Sequence, residues 1–320
     1  MDYFAGIRGQ QRAVDILKKC VETGTTSHAY VFAGPAGVGK MLTARAFACS
    51  LIAAGDRQAG IFFRDNVHPD LMVIEKPEDK TTILIEQITG ELQPWLELKP
   101  SRAQKKVAII RDAHLMRREA GNALLKTLEE PPFYAVIILV SDENNLLETI
   151  VSRCQLLAFD LLPEDDIEEL LLQGGADPQL ARYASKLSQG SPATAWQYAQ
   201  AGDIDSYLRL ARDIIQDLHG GERLAVFQAA EKIETRPDLI CGILETMLRD
   251  ILVYDCSGQE KDLALPLYLD LLQECHGRID RFSLARAVKE IDGLRRYYKR
   301  YVNSLMVSTN ISFKIWEALN

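Results

Sequence analysis

The sequence predicts an α/β domain with a parallel sheet covered by helices on both faces, then a small helical domain and a larger all-α one. Three observations predict it. Short continuous apolar runs alternate with amphipathic segments through the first half. A glycine-rich turn lies between one such run and a helical pattern. Beyond Pro163 the strand signal disappears and everything is helical in pattern.

Taken in order, Ala29-Tyr30-Val31-Phe32-Ala33 reads as a buried strand. Met41 to Ala54 is then helical, with Leu42, Ala46, Cys49 and Ala53 at helical spacing. Leu71–Ile74, Val107–Ile110 and Val136–Val140 are further strands, and Leu156–Phe159 is the last of them. Glu119 to Glu130 is a helix with Ala120, Ala123, Leu124 and Leu128 on one face. Asp165–Leu172, Pro178–Leu187 and Ser191–Ala201 read as short helices punctuated by Gly174-Gly175 and Gly190. Tyr207–Leu218, Leu224–Lys232, Asp238–Val253, Leu263–Cys275 and Phe282 to the end continue as helices.

The chain has 320 residues, enough for two or three domains at about 100–200 residues each. Lys and Arg total 37 against 45 Asp and Glu, a net charge of −8, which argues against a surface coated for nucleic acid. No run of about eighteen apolar residues is present, so no membrane span or membrane partner is expected. Met1-Asp2-Tyr3-Phe4 lacks the basic-then-apolar pattern of a secretory signal, and a cytoplasmic location is the expectation. The cysteines (Cys20, Cys49, Cys154, Cys241, Cys256 and Cys275) form no CxxC pair, so reduced thiols are expected rather than a disulfide framework.

The turn Gly34-Pro35-Ala36-Gly37-Val38-Gly39-Lys40-Met41 matches GxxxxGK without the final Ser or Thr. Its physics is a loop whose backbone N–H groups cradle phosphate at a helix N-terminus, with a lysine adding charge. Its position directly after a strand and before a helix identifies a P-loop. Position 41 breaks the chemistry, because the usual hydroxyl ligates Mg²⁺ and a thioether is a poor ligand for a hard cation. The acidic motif degrades in the same direction. After the strand Val107–Ile110 comes Arg111-Asp112-Ala113-His114. One register puts Arg111 where a metal-holding Asp belongs; the other restores Asp112 but puts Ala113 at the base position. Either way one required group is lost, and the P-loop is expected not to hydrolyse ATP. ATP binding without turnover stays open, no cofactor is required and no metal site is assigned.

Phe4, Gly9-Gln10, Ser27-His28-Ala29-Tyr30, the loop 34–40, His68-Pro69-Asp70, Asn122 to Pro132 and Ser152-Arg153-Cys154 together resemble the bacterial clamp-loader subunits, an AAA+ family. Ala-Leu-Leu-Lys-Thr-Leu-Glu-Glu-Pro-Pro with Ser-Arg-Cys is the most specific part, and the likeness spans most of the first 200 or so residues. The resemblance implies an AAA+ P-loop domain at 1–162, a helical lid at 163–204 and an oligomerising helical collar at 205–320. It implies membership of a loader within the DNA polymerase III holoenzyme, with gamma or tau ATPase subunits and a delta subunit as partners. Such a loader opens a sliding clamp and places it on primed DNA during replication. Within the family, the non-hydrolysing delta-prime class agrees with Met41 and Arg111, so no polymerase and little ATPase activity is expected of the chain itself. The alternative is a self-sufficient, hydrolysing gamma/tau-like loader or motor.

The resemblance also gives Arg153 the arginine-finger position, acting in trans on a neighbour's ATP. A finger contributes about 10³–10⁵ in rate by neutralising charge on the transferring phosphoryl group. Relatives often carry a four-cysteine zinc module before His-Pro-Asp; here the stretch from Cys49 to His68 holds only Cys49, so no zinc is expected. His28 and His68 read as structural. Thr194 stands where active relatives place a nucleotide-sensing Arg. Glu129-Glu130 before Pro131-Pro132 reads as a helix end. Lys99, Arg102, Lys105 and Lys106, and the stretch Arg295 to Tyr301, are basic enough to meet DNA phosphates, with solvated or packed side chains as the competing reading.

Overall fold

The computed structural model describes residues 2–64, 67–142, 145–265, 268–299 and 302–320. The chain divides into two compact units, 1–166 and 167–320.

The first unit contains α1 (Gln11–Thr23), β1 (Ala29–Ala33), α2 (Lys40–Ala53), α3 (Ala59–Arg64) and β2 (Leu71–Ile74). After a π-helical turn at Gln87–Leu92 come α4 (Gln93–Glu97), β3 (Lys106–Ile110), α5 (Arg118–Glu129), β4 (Ala135–Ser141), α6 (Glu148–Val151) and β5 (Gln155–Ala158). The strands form one parallel sheet in the order β2-β3-β4-β1-β5. Alternation along each strand feeds two cores. Tyr30, Phe32, Val107, Ile109, Val136 and Ile138 pack with α1 and α2. Val31, Ala108, Ile110, Ile137 and Leu139 pack on the opposite face with α4 and α5. Because both faces are covered, β3 and β4 are buried throughout, which is why they read as unbroken apolar runs. The topology brings the C-terminal ends of β1, β3 and β4 side by side, where open parallel sheets bind their ligands.

α7 (Glu164–Gln173) spans the division between the units. The second unit continues with α8 (Pro178–Leu187), α9 (Pro192–Ala199), α10 (Ile204–Leu218), α11 (Leu224–Glu234) and α12 (Pro237–Ser257). It ends with α13 (Leu269–Cys275), α14 (Arg281–Arg295) and α15 (Ser304–Leu319). α12 is the central helix, packing against α10, α13 and α14, while α15 packs against α11 and α14. Among the described residues, no helix is long and apolar enough to cross a membrane.

Two helical expectations are corrected. Within Leu263–Cys275, residues 263–265 are not helical, in keeping with Leu265 standing before a proline, and the N–H groups of Ala264 and Leu265 go to the Asp250 carboxylate at 2.9 and 2.7 Å; residues 266 and 267 lie outside the described residues, and α13 runs from Leu269. The stretch from Phe282 onward is broken after α14 by a 3₁₀ turn at Arg296–Lys299; Asn303 then caps α15, accepting the Met306 N–H at 3.1 Å. Arg300 and Tyr301 of the basic stretch lie outside the described residues.

Candidate phosphate loop and arginine site

The loop 34–40 leaves the end of β1 and enters α2 with Gly39 in the left-handed region (φ 98°). Gly34 is required by space: a Cβ there would fall 2.1 Å from the Phe159 carbonyl oxygen, just beyond β5. Gln10 ties this region together, donating from Nε2 to the Asp160 carbonyl at 2.8 Å and to the Val38 carbonyl at 3.3 Å. The Gly9-Gln10 pair therefore belongs to the loop's scaffold.

Lys40 is 3% exposed and turned onto its own chain. Its ammonium donates to the Gly34 carbonyl at 2.7 Å and to the Pro35 carbonyl, and pairs with Asp142 Oδ1 at 2.8 Å. Met41 packs against the apolar core beneath the loop. The neighbouring Thr43 hydroxyl is spent on the Gly39 carbonyl at 3.0 Å. Gly37 (φ 77°) and the exposed Pro35 and Ala36 complete the loop, with Val38 buried beneath it.

At the tip of β3, Arg111 is half exposed and reaches Glu75 at 3.2 Å, with Asp112 at 3.7 Å. Asp112 adopts left-handed backbone (φ 51°). It comes together with His114 and with Asp142 from beyond β4, their ligand atoms within 4.8 Å of one another. Sequence reasoning named Asp112 but missed His114 and Asp142. The signal for Asp142 was its place immediately after an apolar strand, the same kind of position as Arg111. Mg²⁺ fits this set poorly. Met41 supplies no hard donor, His114 Nδ1 already accepts the Asp142 N–H at 3.2 Å, and the Lys40 ammonium on Asp142 repels a dication.

Arg153 lies between α6 and β5. Its neighbour Cys154 packs against the core on the α4 and α5 face of the sheet, and burial pushes that thiol up to about 12. Arg153 is 37% exposed at its side chain and points away from this anchor: Nη2 donates to Glu129 Oε1 at 2.7 Å and Nη1 to the Thr149 carbonyl at 3.0 Å. Glu129 is thus more than a helix end, which sequence reasoning did not anticipate.

The remaining sequence candidates find structural partners. His68 Nδ1 accepts the Asp70 N–H at 3.1 Å, so its proton is assigned to Nε2, which faces Asp56 Oδ2 at 3.3 Å. Arg102 Nε donates to the same Asp56 oxygen at 2.6 Å, and this bond, with the Gln58 N–H, holds the Asp56 carboxyl down at about 2. Asp70 accepts the N–H groups of Ser101, Arg102 and Ala103 at 2.7, 2.8 and 2.8 Å. Lys106 is buried on the carbonyls of Trp95 and Leu98, and Lys105 donates to the Phe133 carbonyl. These bonds engage Arg102, Lys105 and Lys106 of the cluster, while Lys99 is exposed. Thr194 is used in the cap of α9, its hydroxyl 3.0 Å from Ser191 Oγ. In the second basic stretch the half-buried Arg295 pairs with the buried Glu245 at 2.8 Å, and the Tyr298 hydroxyl meets Ser308 at 2.8 Å.

Comparison with known proteins places this geometry in context. Residues 9–163 match a family described as DNA polymerase III, delta subunit. The chain is 33% identical to the DNA polymerase III delta-prime subunit of Pseudomonas aeruginosa over 296 residues, covering 82% of this chain and 89% of that protein. It is 29% identical to the delta-prime subunit of Bacillus subtilis, covering 82% of each. It is also 33% identical to the tau/gamma subunit of Haemophilus influenzae, over 59% of this chain and 29% of that longer protein.

Proposed function

The chain belongs to the family of DNA polymerase III delta-prime subunits, and from that premise we propose that it is a non-hydrolysing subunit of a clamp loader. In this reading it scaffolds gamma or tau ATPase subunits and a delta subunit, and donates Arg153 to a neighbour's ATP site. The loader as a whole places a sliding clamp on primed DNA. The division into a P-loop domain at 1–162, a lid at 163–204 and a collar at 205–320 belongs to the same proposal.

The observation that carries it is Lys40, whose ammonium is satisfied by Gly34, Pro35 and Asp142. A phosphate loop in this state lacks the free cation that would hold a β- or γ-phosphate, and Met41 and Arg111 remove the metal chemistry beside it. The same observation counts against the self-sufficient gamma/tau-like alternative. Arg153 supports the second half of the reading. Its guanidinium is always charged, planar and partly exposed, suited to charge developing on a phosphoryl group in a site formed by another chain.

The test is ATP turnover by the isolated chain, and by the loader assembled with gamma or tau and delta, with Arg153 intact or changed to Ala. No turnover is expected from the chain alone. In the loader, Arg153→Ala is expected to silence the one site it serves. Robust turnover by the isolated chain overturns the non-hydrolysing reading, and full loader activity with Arg153→Ala overturns the finger.

A further inference from the structure

We propose that Glu129 is the positioning residue for Arg153, holding the guanidinium in the orientation from which it meets the neighbour's nucleotide. This rests on the reading of Arg153 as a finger. Glu129 is the last residue of α5, Glu130 is its C-cap and Pro131-Pro132 comes next, so the helix ends there. A carboxylate in the last helical turn is disfavoured by the helix dipole unless a cation meets it. Arg153 Nη2 does so at 2.7 Å from Oε1.

The pair is set by packing rather than by two loose side chains. Leu128 of α5 and Ile150 of α6 are both buried in the core on the α4 and α5 face of the sheet. Gly121 of α5 lets Leu147 approach so closely that a Cβ would stand 3.0 Å from its Cδ1. The two helices therefore present Glu129 and Thr149 at a fixed separation, and both grip the same guanidinium. The Thr149 carbonyl takes Nη1 at 3.0 Å, with Ser152 Oγ at 3.5 Å.

A guanidinium has five N–H donors, so these contacts leave Nε–H and one Nη2 hydrogen for a phosphoryl oxygen. A long arginine held in advance loses less rotamer freedom when it engages, which is a gain in positioning. The Glu129 carboxylate is 52% exposed at its side chain, and exposed ion pairs are weak and screened. It can orient Arg153 without withholding it from a phosphate.

The experiment uses the loader assembled with gamma or tau and delta subunits, and reads steady-state ATP turnover with Glu129→Ala, Glu129→Gln, Arg153→Ala and the Glu129→Ala/Arg153→Ala pair. Glu129→Ala is expected to lower the Arg153-dependent part of kcat about threefold to tenfold, the loss of one charge-assisted contact, with KM for ATP unchanged. Glu129→Gln, which keeps an acceptor but no charge, is expected to fall between Glu129→Ala and the unaltered protein. In the Arg153→Ala background Glu129→Ala should change nothing further, a non-additivity that a merely structural role would not produce. If Arg153→Ala impairs turnover while Glu129→Ala leaves it unchanged or raises it, or if the two losses add, Glu129 does not position the finger. If Arg153→Ala itself costs nothing, the finger reading fails and this inference fails with it.

Discussion

Lys40 Nζ lies 2.8 Å from Asp142 Oδ1, so the cation of the phosphate loop is neutralised by a residue from beyond the neighbouring strand. An ammonium has three donors, and here the Gly34 and Pro35 carbonyls and the Asp142 carboxylate take all three. A nucleotide entering this loop would bring negative phosphates toward a carboxylate and would have to displace it. The loop keeps the shape of an anion cradle while its charge has been answered from within the chain.

Removing that carboxylate should therefore expose the residual cradle. Asp142→Ala is expected to raise the affinity of the isolated chain for ATP or ADP about threefold to tenfold, the equivalent of about 1 kcal/mol. Turnover should stay absent, since Met41 and Arg111 are untouched. Titration with a fluorescent nucleotide checks the first expectation, and phosphate release checks the second. Unchanged affinity would show that Asp142 is not what closes the loop.

The glycines of the loop make a separate demand. Gly34→Ala would put a Cβ 2.1 Å from the Phe159 carbonyl oxygen, a backbone atom that cannot swing aside. A loss of more than about 3 kcal/mol is expected, because the β1 and β5 ends must part. Gly39→Ala meets no neighbour within 4 Å and suffers only its positive φ, so about 1–2 kcal/mol is expected. Denaturant titration of the two variants gives the order, and a reversed order would contradict the close approach at Gly34.

The sheet was legible in the sequence because β3 and β4 are buried on both faces and carry no polar interruption. The loop 34–40 was legible because its glycines and lysine are contiguous. What escaped depends on contacts distant in sequence. Asp142 looks like any residue after a strand until β4 lies beside β1. Glu129 looks like a helix end until α6 brings Arg153 to it. The non-helical residues 263–265 escaped because the backbone donors of Ala264 and Leu265 go to Asp250 on α12. Arg295 read as a solvent-facing charge, yet it turns half-buried onto Glu245, which lies on another helix.

His-Pro-Asp can be tested as a structural latch rather than a ligand set. Asp70 is fully buried and accepts three successive N–H groups from residues 101–103. Asp70→Ala would orphan those donors, and a loss of about 2–4 kcal/mol is expected. Asp70→Asn, which retains one acceptor oxygen, should lose less. Hydrogen exchange should speed up at residues 101–103 in both variants, while unchanged exchange there would rule out the latch.

The second unit carries a pH dependence of predictable sign. Glu245 is buried on α12, and burial pushes its carboxyl up to about 7 against the opposing pull of Arg295, with Asp292 adding to the rise. Its Oε1 finds no hydrogen-bond partner among the described residues. Between pH 4.5, the ordinary value, and about 7, the folded chain therefore binds more protons at this site than the unfolded chain. Stability from this group is present at low pH and falls as pH rises through that window, reaching its full cost above it. The span corresponds to at most about 3 kcal/mol. Glu245→Gln keeps the acceptor for Arg295 Nη1 and removes the titration. Relative to the unaltered protein, this variant should gain stability steadily from pH 4.5 to 7 and hold a constant difference above that. Paired thermal melts across the window measure the difference directly, and a difference that is flat or opposite in slope would show that Glu245 stays ionised in the folded chain throughout.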